Sequence, residues 1–219
     1  MNDQPPIGRL LKATVFFDTT VPRHFGVINE CAVLRRAFPR ALITTGVELE
    51  LTNARGPVAK LGGDLGPLLD DPCWAGVEEL VDAQILDVEQ LRLGLGANRP
   101  EDLLFKETKD LGEFETVVAS QAKGGFPIVM EDGKGARAAA GRGLACYQTI
   151  HVCMVIAIRV IAIRDLRSPE ESWALYGRLL DAGLKPRNRV RVSFTPATRE
   201  EYLDIVYAAL EQLRTKKGR

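Results

Sequence analysis

Five apolar residues rich in β-formers, 13-ATVFF-17, run without a break into Asp18. A strand with one wet face alternates apolar and polar side chains; this run is apolar throughout, so both of its faces need cover. It reads as a central strand of a sheet with helices on either side. A second short run, 127-PIVM-130, ends in two adjacent acids, Glu131 and Asp132, and is followed at once by Gly133 and 134-KGARAAAG-141. Two buried strands that each finish in carboxylates are the strongest constraint on the chain.

Between and after these runs, helical and strand-like segments alternate. A helix is expected over 27-VINECAVLRRAF-38, stopped by Pro39, with Thr19 and Thr20 opening the turn before it. A short strand at 41-ALI-43 follows, then a helix carrying 46-GVELELTNA-54, in which Thr45 and Glu48 have capping-box spacing. The crowd of Gly, Pro and Asp in residues 55–72 predicts loop and broken helix. Residues 77-VEELVD-82 read as helical, 85-ILDV-88 as an edge strand and 98-NRPEDLLFKE-107 as a helix begun near Asn98. Further on come a helix over 113–124, the 127–130 strand, a helix over 134–141 and a short strand at 144–146. Thr149 caps an apolar helix to Ile163, and 170-EESWALYGRLLDAG-183 is amphipathic and ends at glycine. An extended 190-VRVSF-194 and a helix from Thr198, boxed by Glu201, complete the chain. The alternation predicts a mostly parallel sheet covered on both faces.

Composition narrows the function only a little. Hydrophobic residues make up 46% of the 219, ordinary for one sizeable core. Acids and bases balance at 29 each, but residues 185–219 hold nine Lys or Arg against four Asp or Glu. A basic end beside an acidic body is compatible with nucleic acid, although a solvated helix face explains it as simply. Cys31, Cys73, Cys146 and Cys153 form no CxxC, and there are two histidines, so a zinc site is not expected. His24 has no evident partner, and His151 reads as a core residue. The segment 150-IHVCMVIAI-158 meets Arg159 too early to span a bilayer, and MNDQPPIGRL has no signal-like apolar core. A cytoplasmic protein with no membrane partner is the expectation.

In an open parallel sheet, functional groups gather beyond the carboxyl ends of the strands. Asp18, Glu131 and Asp132 belong there, with Glu113 and Glu115 at the start of the helix before the 127–130 strand. Glu50 lies early in the helix after strand two. Close carboxylates repel unless counter-charged, and Mg²⁺ or Mn²⁺ would answer that with hard oxygen ligands. Each acid also has a structural reading. Asp18 and Asp132 can cap the segments after them, Glu131 can be a solvated neighbour, and Glu113 and Glu115 suit a helix N-terminus.

The stretches 15-VFFDTTV-21, 43-ITTGVELEL-51 and 111-LGEFETVVASQAKGGFPIVMEDGKGARAAAGRGL-144 resemble the PIN-domain nucleases, in a branch related to toxins of toxin–antitoxin pairs. Gln148 stands before Thr149 where that branch usually has glycine. The resemblance spans roughly residues 13–163 and is weak over 55–100. It implies a Rossmann-like three-layer α/β/α sandwich, with a nuclease domain over 10–165; the helix-rich remainder over 166–219 reads from its own residues as an extension packed on or beside it. It implies a ribonuclease dependent on Mg²⁺ or Mn²⁺, whose catalytic and metal-binding acids are Asp18, Glu50, Glu115 and Asp132. Glu48 disputes Glu50's place and Glu113 that of Glu115. Thr19, Glu113, Glu131 and Arg137 are supporting residues, with Thr19 bonded to a site carboxylate and Arg137 in a salt bridge or on phosphate. RNA, a cognate antitoxin and a second copy of the chain are the implied partners.

On that resemblance a metal-bound water attacks the RNA phosphate and leaves a 5′-phosphate and a 3′-hydroxyl. Two other functions fit the residues: a catalytically inactive PIN-like module that binds RNA or protein, and a phosphate-monoester phosphatase. The 15-VFFDTTV-21 run slightly resembles the haloacid dehalogenase-like signature, which wants an Asp where Thr20 stands.

Overall fold

A computed structural model describes residues 7–70, 75–95, 111–163, 168–185 and 195–217. Five strands make one all-parallel sheet: β1 (Val15–Phe17), β2 (Ala41–Thr44), β3 (Ala75–Glu78), β4 (Ile128–Val129) and β5 (Cys146–Tyr147). They lie side by side in the order β3-β2-β1-β4-β5. Phe16 is opposite Leu42 on one side and Ile128 on the other, so β1 is central as its unbroken apolar run requires. The chain winds outward from β1 to β3, then returns to the other side of β1 to start β4. Loops after β1 and β4 therefore depart in opposite directions and open a crevice between them.

Alternate strand residues supply two cores. Phe16, Ile128 and Met130 point to one face, where α6 (Asp82–Leu95), α7 (Leu111–Ala122) and α8 (Gly133–Gly141) bring Val88, Phe114, Val117 and Ala139. Val15, Phe17, Ile43 and Val129 point to the other. That larger core is covered by α1 (Ile7–Lys12), α2 (Thr20–Val27), α3 (Cys31–Ala37), α4 (Thr45–Lys60) and α5 (Gly66–Leu69). It also takes α9 (Thr149–Ile163), α10 (Pro169–Asp181) and α11 (Arg199–Lys217). The result is a three-layer α/β/α sandwich. Phe16 and Phe17 are fully buried on opposite faces, and each such burial is worth about 2–3 kcal/mol.

The C-terminal helices join the larger core directly. Tyr202 of α11 is fully buried against Trp173 of α10, with ring centroids 5.1 Å apart, and its hydroxyl meets Ser172 Oγ at 2.7 Å. Arg159 of α9 ties two other helices down: its guanidinium donates to the carbonyl of Leu11 at 2.6 Å and to that of Ala37. No helix among the described residues is long and apolar enough to cross a membrane.

Several expected elements differ. The helix expected over 27–38 forms only from Cys31 to Ala37, as α3; Val27 instead ends α2, and Asn29 in the break between the two holds the left-handed φ of 57° that asparagine tolerates. Helix α4 continues past the expected end to Lys60, through Pro57, because Ala54 and Val58 still have core to bury in. Residues 75–78 form strand β3, and the 85–88 run lies inside helix α6, the reverse of the expected types. Pairing with β2 in register from Ala41–Ala75 to Thr44–Glu78 overrides the helical pattern. Strand β5 is displaced to Cys146–Tyr147. The expected helix over 98–107 and the whole extended 190–194 segment lie outside the described residues.

Candidate functional site

The carboxyl edge of the sheet collects acids by a repeated local device. Asp18 follows β1 and is fully buried, yet three backbone N–H groups point at it. Its Oδ1 accepts from Thr20 N at 3.1 Å and Val21 N at 3.4 Å, the first turn of α2, while Oδ2 accepts from Glu131 N at 3.2 Å. Two strand ends are thereby joined across the crevice. Glu131, 5% exposed, turns its own carboxylate to the start of α9 and accepts from Thr149 N at 2.6 Å. Asp132 is the N-cap of α8, its Oδ1 accepting from Lys134 N at 2.6 Å and Gly135 N at 3.0 Å.

Two further acids are exchanged between α4 and α7. Gly46, in the first turn of α4, donates its N–H to Glu115 Oε2 of α7 at 2.7 Å. Gly112, in the first turn of α7, donates to Glu50 Oε1 of α4 at 3.3 Å. The glycines leave room for this approach: a Cβ on Gly46 would lie 2.6 Å from Glu115 Oε2, and one on Gly112 would lie 3.2 Å from Glu50 Oε1, so either carboxylate would have to shift. The Thr19 hydroxyl completes the Glu50 site by donating to Oε2. Five acids thus meet five helix N-termini: Asp18 with α2, Glu115 with α4, Glu50 with α7, Asp132 with α8 and Glu131 with α9.

This pairing supplies the counter-charge that carboxylates at one edge need. First-turn N–H groups and the helix dipole favour an adjacent anion by about 0.3–1 kcal/mol each on the surface and up to about 2 kcal/mol when partly buried. A divalent cation is therefore not the only answer to their mutual repulsion. In donor type the residues suit Mg²⁺ or Mn²⁺. In arrangement they do not yet fit, since no group of three or more His, Cys, Asp or Glu side chains among the described residues is placed to hold a metal ion.

The remaining predicted residues lie near this edge, but several do not make the contacts expected of them. Glu48 is exposed on α4, facing away from its neighbour Glu50, so Glu50 is the acid that meets Thr19. Glu113 lies against α8, where a Cβ on Gly135 would come within 3.0 Å of its own Cβ. Arg137 was expected to hold the acidic pair. It is instead exposed on α8 and forms no salt bridge to Glu131 or Asp132 among the described residues, because backbone N–H groups already serve both acids. The Thr45–Glu48 box is absent too: Thr44 is the N-cap of α4 and makes no side-chain capping bond. His24 Nδ1 donates to the Thr20 carbonyl at 2.7 Å, and buried His151 accepts from Gln148 N at 3.0 Å through Nδ1.

One open cavity of about 330 Å³ adjoins the acids. It runs between α2 and α4, from Thr19 and Glu50 out to Arg23, Leu49, Asn53 and Pro57. Sequence reading did not single out Arg23, Leu49 or Asn53. The signal was present: positions 46, 49, 50, 53 and 57 repeat at helical spacing and share one side of α4. Thr19 and Arg23 stand one turn apart on α2, where Arg23 N bonds the Thr19 carbonyl at 3.1 Å.

Parallel strands, a topological switch at β1/β4 and acids along the carboxyl edge define the chain as a three-layer α/β/α protein with an acidic switch-point crevice. Comparison with protein-family models, with curated proteins and with solved structures finds no match.

Proposed function

We propose that the chain is an endoribonuclease of PIN-like type, dependent on Mg²⁺ or Mn²⁺, that cuts RNA phosphodiester bonds. The observation that carries this reading is the bond from Glu131 N to Asp18 Oδ2, which joins the acid-bearing ends of β1 and β4 at the switch point where ligands bind in open α/β sheets. Asp18, Glu50, Glu115 and Asp132 are the acids of the reading, with Thr19, Glu113, Glu131 and Arg137 supporting. A bound cation would supply Lewis-acid stabilisation and an activated water. Since the acids do not form a ready ligand cluster, the chemistry assigned to the chain's own residues is narrower. Thr19 orients Glu50, the α2 N-terminus holds Asp18, and exposed Arg137 is available to phosphate. A toxin's antitoxin, a second copy of the chain and a cytoplasmic setting belong to the same proposal.

A second reading, a non-catalytic module that binds RNA or protein, is favoured by one specific observation: Asp18, Glu50, Glu115, Glu131 and Asp132 each already have a helix N-terminus to serve. Calorimetric titration with Mn²⁺, run beside cleavage of a labelled RNA, separates the two. The nuclease reading expects saturable Mn²⁺ binding and cation-dependent cleavage, both lost in Asp18→Asn and in Glu50→Gln. RNA left intact by the folded wild type in Mn²⁺ would reject it in favour of the binding module.

A further inference from the structure

We infer that the cavity between α2 and α4 is a subsite for one nucleotide of single-stranded RNA, with Arg23 on its phosphate and Asn53 on its base. The inference rests on the RNA-directed reading above and assigns residues outside the edge acids.

Three features of the cavity select this class of ligand. Its volume, about 330 Å³, lies at the lower end for small-molecule sites and suits a single nucleotide unit. Its chemistry is divided along its length. Arg23 is the one cation among the described lining residues, and its side chain makes no ion pair or hydrogen bond among the described residues. An uncommitted guanidinium offers a planar fork of donors matched to phosphate oxygens. Asn53 is likewise exposed and uncommitted, and its amide carries both donors and an acceptor, the pattern needed to read a base edge.

Between them lies an apolar wall. Leu49 is 47% exposed, a large aliphatic left facing solvent, and shares this part of the groove with Pro57 and Leu111. Such a wall can cover the face of a base or ribose, though it lacks the rings of a stacking platform. Position completes the case. The inner end of the cavity is the bonded pair Thr19 and Glu50, so a nucleotide seated there would bring its neighbouring phosphodiester to the acidic edge. The stripe at 49, 53 and 57 is held rigidly because the opposite side of α4 buries Val47, Leu51 and Val58.

The test uses the full chain and two readouts. Binding of the four nucleoside 5′-monophosphates is measured by calorimetry in EDTA, and cleavage of a short labelled RNA is measured in Mn²⁺. The expected results are measurable nucleotide binding by the wild type and a loss of about tenfold or more for Arg23→Ala, the range of a charge-assisted bond. Asn53→Ala should compress the differences among the four bases while keeping most of the affinity. Both positions are exposed, so neither variant threatens the fold, and Arg23→Lys should restore part of the binding. No nucleotide binding by the wild type, or unchanged binding by Arg23→Ala, would overturn the subsite. Nucleotide binding that depends on Arg23 in a protein that never cuts RNA would uphold the subsite and sink only the nuclease.

Discussion

The acidic edge has an inner half and an outer half. Asp18 and Glu131 are buried, with 0% and 5% exposure, and their oxygens take backbone N–H groups from α2, β4 and α9. Glu50 is half-buried, bonds one hydroxyl and one distant N–H group, and lines an open cavity with Arg23 and Asn53. The same side-chain chemistry therefore does two jobs. Inside, a carboxylate stands in for missing helix-cap partners and holds strand ends together. Outside, it faces the space a ligand can enter. Counting acids at a sheet edge does not distinguish these jobs; what each oxygen touches does.

The sharpest break of this comparison is Asp18→Ala. It strands two buried N–H groups, of Val21 and Glu131, and the part-buried one of Thr20, and unsatisfied buried donors cost about 1–3 kcal/mol each. A total loss of about 3 kcal/mol or more in urea unfolding is expected, whether or not the protein cuts RNA. A loss below about 1 kcal/mol would mean that the inner half is not structural. Next in size is Glu131→Ala, which leaves Thr149 N unpaired at the start of the most buried helix. About 2 kcal/mol is expected from the same denaturation measurement. Glu50→Gln sits lower, at about 0.5–1 kcal/mol, since the amide keeps one acceptor for Thr19 or Gly112. Its effect should show in RNA cleavage and hardly in stability, the inverse of Glu131→Ala.

The smallest effect belongs to a pair outside the edge. Asp87 of α6 receives two bonds from Arg142, at 2.5 and 2.6 Å, which hold its carboxyl below the ordinary range. A lowered folded value means that the pair stabilises above the ordinary carboxylate pKa and that this is lost as pH falls through the lowered value. With Asp87 36% exposed, solvent screening keeps the loss in Asp87→Asn to about 1 kcal/mol or less. High salt should erase that difference, while leaving the cost of Asp18→Ala nearly intact. Thermal melts of both variants at two salt concentrations would show it.

The parts of the fold that could be read in the sequence are those whose constraints are local. Val15–Phe17 is apolar at every position and sits at the centre of the sheet. The segment from Leu111 to Gly141 carries its own turn signals, including two left-handed glycines at 124 and 125. Asn29 was a legible break, but the helical pattern over 27–38 concealed it. Strand β3 was not legible because an edge strand needs apolar residues on fewer sides, and 77-VEELVD-82 also matches a helix. The site shows the same division. Asp132 as the cap of α8 is a contact two and three residues long. The bonds of Glu50 to Thr19 and of Glu115 to Gly46 cross 31 and 69 residues, and only the folded packing of α4 against the start of α2 and against α7 creates them.

The matching of one acid to one helix start has a consequence for descent. The inner carboxylates, Asp18 and Glu131, secure the handover from a strand into the next helix, so selection for a stable fold is enough to retain them. Those two buried acids would persist in a lineage with no catalytic activity. Arg23 and Asn53 have no such second duty. If the proposed subsite holds a nucleotide, relatives that keep the acids but vary at these two positions would mark where that role had lapsed.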